Sequence, residues 1–249
     1  MIESKNLPEL IKDYLIEFNL LKDQGLFIEC GAFDGVTQSN TTIFEELGWQ
    51  GVLIEPSKQA YKKCLINRPD CISVNKALVS FRYFKKSKYI KGDFNSQEMS
   101  SVNAMRTKKE RRNKYRRLNK IYNLPLTFII DYFKQKKLDE NNTLVECIPL
   151  SDLLDELSIK EVDLFILDVE GYEFSVLKGV DFKKDRPKII VIEIYKSQLK
   201  KISNLLIKNG YNPPVNLTNF SKEKNPGWDG SHNDYIFTLN SWFIINVIF

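Results

Sequence analysis

At 249 residues the chain is long enough to bury one substantial core and short for two. Its 43% apolar and 12% aromatic content excludes a disordered or fibrous protein, and no apolar run approaches the roughly 20 residues that span a bilayer. The net charge of +5 is mild. Four scattered cysteines without a C-x-x-C pair, beside the single histidine His232, speak against zinc and for free thiols in a reducing compartment.

The opening "LPELIKDYLIEFNLLK" places Leu10, Tyr14, Leu15 and Phe18 on one helical face and predicts an amphipathic helix. Glu, Lys and Asp stand near the N-terminus where a signal peptide would be apolar, so a cytoplasmic protein is expected. "GLFIECG" then predicts a short strand, apolar on both faces. "NTTIFEELGW" predicts a helix capped near Ser39 to Thr41 and stopped at Gly48. "GVLIEP" predicts a second strand, "SKQAYKKCLINR" a helix and "CISVNKALVS" a third strand. Such alternation, with near-continuously apolar strands, is the pattern of a parallel sheet covered on both faces. It resumes with "VDLFILDVEG", "YEFSVLKGV", "RPKIIVIEIY" and "KSQLKKISNLLIKNG". "HNDYIFTLN" predicts a last strand, reversed against the rest. The terminal "SWFIINVIF" is too short to cross a membrane and reads as a strand or core plug.

Between the halves, residues from about 82 to 142 read as an insertion in one domain spanning 1–249. Arg106, Lys108, Lys109, Arg111, Arg112, Lys114, Arg116, Arg117 and Lys120 crowd there with only Glu110 opposing them. A run without Gly or Pro favours helix, and its polarity keeps it out of the core. Three readings stay open for Arg106–Lys120: a solvated helix face, a patch for an anionic acceptor, or a nucleic-acid surface. "LTFIIDYFKQKK" after it predicts a more buried helix.

Chemistry concentrates at two strand ends. Gly31 permits a sharp turn close to a ligand, and Gly35 offers a second such backbone position. Ser39, Asn40 and Thr41 stand near a helix start, where free N–H groups favour a carboxylate. Glu55, about 20 residues beyond the glycines, suits the ribose hydroxyls of a nucleoside. A plain αβ turn with a surface Glu is the alternative. Asp34 stands where a pyrophosphate would pass, and Glu29 adds a second carboxylate. An acidic pocket attracts a sulfonium ion carrying an ammonium group, so S-adenosylmethionine is expected over NAD or ATP.

The second cluster is "LDVEGYE", which packs Asp168, Glu170 and Glu173 into one strand-to-helix turn. Three close acids repel one another unless a cation, a proton or donor hydroxyls lie among them. Helix-dipole stabilisation would account for Glu173 alone. Asp168, Glu170 and His232 are the candidates for taking a proton from an alcohol during methyl transfer. A divalent metal, were one present, would fall to Asp168, Glu170 and Glu173. His232 sits in the turn-rich "GWDGSHNDYIF", read as a loop before the last strand.

"FIECGAFDGVTQSNTTIFEELGWQGVLIEPS", with "VDLFILDVEGYEFSVLKGVDF" and "PKIIVIEI", resembles the FkbM family of S-adenosylmethionine-dependent methyltransferases. The resemblance implies a Rossmann-like class I α/β fold: seven strands, mostly parallel, the last antiparallel, with helices on both faces and here a basic helical insertion. It matches Glu29, Gly31, Ala32, Asp34 and Gly35 to the first cofactor turn, and Ser39, Asn40 and Thr41 to the helix start. Glu55 matches the ribose acid, and Asp168, Glu170, Gly171 and Glu173 the D-x-E-G-x-E block. Phe33 replaces the middle glycine of the general methyltransferase turn, and Ile166 stands where many members carry a lysine. The activity implied is O-methylation of a sugar, nucleotide-sugar or glycan-containing acceptor. An RNA methyltransferase gripping its substrate through the basic run, or a non-catalytic cofactor-binding module, are the alternatives.

Overall fold

The structure, a computed structural model, describes residues 5–94, 101–102, 142–221, 223, 225 and 228–240. The basic run, the helix predicted after it and the terminal "SWFIINVIF" lie outside the described residues. In chain order the elements are α1 (Leu7–Glu17), β1 (Leu26–Cys30), α2 (Thr42–Glu46), β2 (Gln50–Ile54), α3 (Lys58–Asn67), β3 (Ile72–Val74) and β4 (Ala77–Leu78). There follow α4 (Phe81–Phe84), β5 (Tyr89–Asp93), β6 (Ser101–Val102), β7 (Asn142–Ile148), α5 (Leu150–Glu156) and β8 (Leu164–Leu167). The described part closes with α6 (Glu173–Leu177), β9 (Ile189–Tyr195), α7 (Leu199–Lys208), β10 (Val215–Asn216) and β11 (His232–Thr238).

Seven strands form one sheet in the order β10-β11-β9-β8-β1-β2-β3. β3, β2, β1, β8 and β9 are mutually parallel, and β11 runs antiparallel to β9, as the sequence predicts. Alternation along each central strand divides the core in two. Ile28, Val52, Phe165, Leu167, Ile190 and Ile192 pack with Leu150, Leu153, Val176, Leu177, Ile202 and Leu206 of α5, α6 and α7. Phe27, Leu53, Leu164, Ile166 and Val191 pack with Ile11, Leu15, Phe44 and Cys64 of α1, α2 and α3. Each fully buried large side chain contributes about 1.5–3 kcal/mol, which is why these strands read as unbroken apolar runs.

Three expectations change. On α1 the buried residues are Ile11 and Leu15, whereas Phe18 caps the helix end, 54% exposed, with its ring against Tyr14. "CISVNKALVS" is not one strand: β3 edges the large sheet, while β4 belongs to a second sheet ordered β4-β7-β5-β6. The chain crosses between sheets at Asn75, whose side-chain amide donates to the carbonyls of Glu55 and Pro56. The start of the predicted insertion contributes α4 and β5, and its final residue opens β7, which pairs parallel with β4 and antiparallel with β5. All four cysteines are buried and free, in line with the sequence reading.

Candidate active site

The parallel strands point their carboxyl ends to one edge, and the order reverses between β1 and β8. That is where an open α/β sheet opens a crevice for a ligand. The ladder extends beyond the strands themselves: the Gly31 N–H donates to the Ile54 carbonyl (3.0 Å) and the Asp168 N–H to that of Cys30 (3.1 Å). Gly31 has φ +94°, and a Cβ there would lie 1.9 Å from the Asp168 carbonyl oxygen. The glycine is therefore demanded twice, by backbone conformation and by the approach of the β8 exit.

Phe33, in the place of the missing glycine, also adopts the left-handed region, at φ 50°. Its N–H donates to one oxygen of Glu55 (2.9 Å), and the Ser57 N–H to the other (2.7 Å). Glu55, 4% exposed, thus ties the first turn to the end of β2 and keeps lone pairs for further donors. Burial pushes its carboxyl up to about 7 against those two hydrogen bonds.

Glu29 is 3% exposed and accepts from the Ser39 hydroxyl (2.9 Å), the Asn40 N–H (2.7 Å) and the Thr41 hydroxyl (2.6 Å). Burial raises its pKa; the three donors and the nearby Arg68 charge oppose the rise. Arg68, itself buried, pairs with Glu45 and donates to the Gly35 carbonyl (2.9 Å) and the Ser39 hydroxyl (3.2 Å). Ser39 and Thr41 are consequently engaged behind the crevice. Asp34 accepts from the N–H groups of Val36 and Thr37 and from the Thr37 hydroxyl, closing a local turn. Burial works against its ionisation, but these donors outweigh it and leave the carboxyl below its ordinary value.

A cavity of about 590 Å³ occupies the edge, within the range of small-molecule sites. Of the expected cofactor residues, Glu29, Gly31, Asn40 and Glu55 line it. Ala32, Asp34, Gly35, Ser39 and Thr41 are not on its wall and build the turn that shapes it. Lys76, Ala77 and Leu78 enter from the crossing between sheets, which sequence reasoning did not single out. Asp168 and Glu170 line the side opposite Glu55, so the wall is acidic without any contribution from Asp34.

Asp168 has no side-chain donor among the described residues, and burial together with Glu170, Asp234, Glu173 and Glu29 pushes it up to about 8. Glu170 has φ 53°, and its carboxylate accepts from the Tyr195 hydroxyl (3.0 Å). Glu173 is fully buried and turns away from the cavity. It accepts from the Gly171 N–H (2.7 Å) and stands 3.5 Å from the Gln198 amide nitrogen. Burial lifts it to about 7. Among the described residues no group of three or more His, Cys, Asp or Glu is arranged to hold a metal ion. The turning of Glu173 removes one of the three ligands envisaged.

His232 does not lie in a loop; it opens β11, opposite Tyr195 in the antiparallel ladder. Its Nε2 is 3.3 Å from Glu193, its Nδ1 is 2.9 Å from the Ser231 hydroxyl, and its ring stands beside Tyr195. It is not on the cavity wall. The same ladder sets Glu193 directly across from Asp234. Burial, followed by Asp168, Glu170 and Asp234, pushes Glu193 up to about 9, and burial takes Asp234 to about 6. Sequence reading missed Glu193, Tyr195, Asp234 and Arg68. An acid inside "IIVIEIY" and one inside "HNDYIF" were the only signals, and only strand register joins them.

These acids make a stability prediction. Glu55, Glu173, Asp168, Glu193 and Asp234 each hold a proton more tightly folded than unfolded. Between the ordinary carboxylate value of about 4 and the raised ones, the folded state binds the extra protons, so stability falls as pH rises. Thermal unfolding of ligand-free protein at constant ionic strength is expected to show the highest Tm near about pH 5, declining towards about pH 9. A flat or rising Tm over that interval would contradict the burial of these groups.

A family model described as the methyltransferase FkbM domain matches residues 29–213. Among solved structures, the ribosomal protein L11 methylase from Lactobacillus delbrueckii subsp. bulgaricus is similar at TM-score 0.44 and 10% identity, covering 94% of this chain and 79% of its own. A TehB-like SAM-dependent methyltransferase from Corynebacterium glutamicum ATCC 13032 Kitasato is similar at TM-score 0.43 and 8% identity, covering 96% and 90%. Among curated proteins nothing matches the chain.

Proposed function

The chain belongs to the FkbM methyltransferase family and is an S-adenosylmethionine-dependent methyltransferase, and from that premise we propose that it methylates a hydroxyl of a sugar or glycan-containing acceptor. The reading takes residues 1–249 as one domain with an insertion at about 82–142. The observation that carries it is Asp168, a carboxyl on the cavity wall with no side-chain donor among the described residues, pushed up to about 8 by burial and acidic neighbours. Such a group suits the task of taking a hydroxyl proton.

The residues present fit the cofactor. Glu55 keeps lone pairs for two ribose hydroxyls, Gly31 brings backbone close, and the acidic wall favours a cation. When bound, S-adenosylmethionine supplies an activated methyl group on a positively charged sulfur. The Asp168 carboxylate would take the proton of the acceptor hydroxyl as the methyl group leaves sulfur for its oxygen. Glu170, an acceptor-only group while ionised, orients the hydroxyls of a polyol. His232, with both ring nitrogens engaged, supports Tyr195 from behind. No helix among the described residues is long and apolar enough to cross a membrane.

The test has two arms. S-adenosylhomocysteine should raise the Tm of the wild-type protein by mass action, and Glu55→Gln should weaken its binding by about 10- to 100-fold. Protein given labelled S-adenosylmethionine should then label a member of a panel of sugars and nucleotide sugars. Label entering RNA alone would overturn the acceptor assignment in favour of a nucleic-acid substrate.

A further inference from the structure

Glu170 is backbone-strained, lines the cavity and belongs to the acidic turn, yet nothing in that turn holds its side chain in place. The restraint comes from another strand. Tyr195, the last residue of β9, donates its hydroxyl to one Glu170 carboxylate oxygen at 3.0 Å. We propose that Tyr195 is the positioning residue that holds Glu170 facing the reacting centre, so that its carboxylate stands by the positive charge of the methyl donor. This rests on the reading of the cavity given above.

Three independent features support it. A left-handed non-glycine residue persists only where its surroundings over-determine it. Here Glu170 at φ 53° is followed by Gly171 at φ +94°, and the Gly171 carbonyl accepts from the Gln198 amide at 2.8 Å while its N–H reaches Glu173. The backbone is thereby clamped from α6 and from the β9–α7 junction, and Tyr195 fixes what remains, the side chain.

Tyr195 itself cannot readily turn away. Its ring stands 5.7 Å from that of His232, which is fixed at both nitrogens by Glu193 and Ser231. Burial, Glu193 and Glu170 all raise the phenol well above its ordinary value, so it remains a donor throughout the accessible pH range. Among the described residues, Asp168 from the end of β8, Glu173 from α6, Glu193 from β9 and Asp234 from β11 put negative charge around this contact, with His232 of β11 beside Tyr195, Lys76 on the cavity wall and Lys201 of α7 near Glu173. The acids outnumber the cations, so an unrestrained Glu170 carboxylate would be repelled outwards to solvent.

The test needs no acceptor. S-adenosylhomocysteine is uncharged at sulfur, whereas sinefungin places a protonated amine at the methyl-bearing position. Calorimetry on folded wild-type protein should show sinefungin binding about tenfold tighter, equivalent to about 1.4 kcal/mol. Glu170→Gln should abolish that preference and Tyr195→Phe should cut it to about threefold, with S-adenosylhomocysteine affinity unchanged in both. In the Glu170→Gln background Tyr195→Phe should have no further effect, because the two residues act as a unit. A preference lost in Glu170→Gln but intact in Tyr195→Phe overturns the role of Tyr195 alone, as does an equal loss in both backgrounds. No preference in wild type overturns the placement of Glu170 as well. Failure to bind either compound overturns the cofactor site itself.

Discussion

Gly31→Ala is expected to destabilise the protein by about 3 kcal/mol or more and to abolish cofactor binding. Left-handed backbone costs an L-residue about 1–2 kcal/mol, and here a methyl group would also lie 1.9 Å from a backbone oxygen of Asp168. No flexible side chain can yield; either the first turn or the β8 exit must move. Because that separation also sets the distance between Glu55 and Asp168 across the cavity, movement disrupts both halves of the site. For a chain of this size the loss corresponds to a fall in Tm of about 6–12 °C. Thermal unfolding and S-adenosylhomocysteine titration measure the two effects separately. Gly48→Ala provides the control: that glycine is also left-handed, at φ +87°, but a Cβ there meets nothing within 4 Å, so only the backbone cost applies. Equal losses in the two variants would refute the steric argument.

The second large effect is on chemistry and not on fold. Asp168→Asn should reduce methyl transfer by about 100-fold or more, the range for removing a positioned proton acceptor. Affinity for S-adenosylhomocysteine should stay within about threefold, since general-base function is felt in the transition state and not in ground-state binding. Stability should move the other way. Asp168 is a half-buried carboxyl on the cavity wall, beset by Glu170, Asp234, Glu173 and Glu29, and removing its charge relieves that repulsion. Above about pH 8, where the wild-type group is ionised, the Asn variant should therefore unfold at a higher temperature than wild type. Glu170→Gln should likewise lose transfer while keeping its affinity for S-adenosylhomocysteine, which is uncharged at sulfur. Undiminished transfer in both variants, measured with the acceptor found in the panel, would remove these residues from the reaction. A lowered Tm in Asp168→Asn would show instead that the charge is compensated.

Pattern alone brought most of the architecture within reach. Unbroken apolar runs such as "LFIEC" and "IIVIEIY" predict strands buried on both faces, and the breaks at Gly31 and after Leu167 mark the edge where chemistry collects. Local chemistry of that kind survives in one dimension because its causes lie within a few residues: strand, glycine, acid, helix start. The division of "CISVNKALVS" between two sheets did not, since the break at Asn75 is set by hydrogen bonds to Glu55 and Pro56 from 20 and 19 positions away. Nor did the inward turn of Glu173, whose partners are the Gly171 N–H and Gln198.

What the amino-acid order by itself determined is a parallel α/β sheet with an acidic, glycine-bearing crevice at the ends of β1, β2 and β8, together with the acids Glu55, Asp168 and Glu170. What only the tertiary structure decided is how those acids are held and which others join them. Glu193 and Tyr195 come into register with Asp234 and His232 through an antiparallel pairing of segments nearly 40 positions apart. In a strand, facing is fixed by a period of two, but partnership is fixed by register, and register is a property of the assembled sheet.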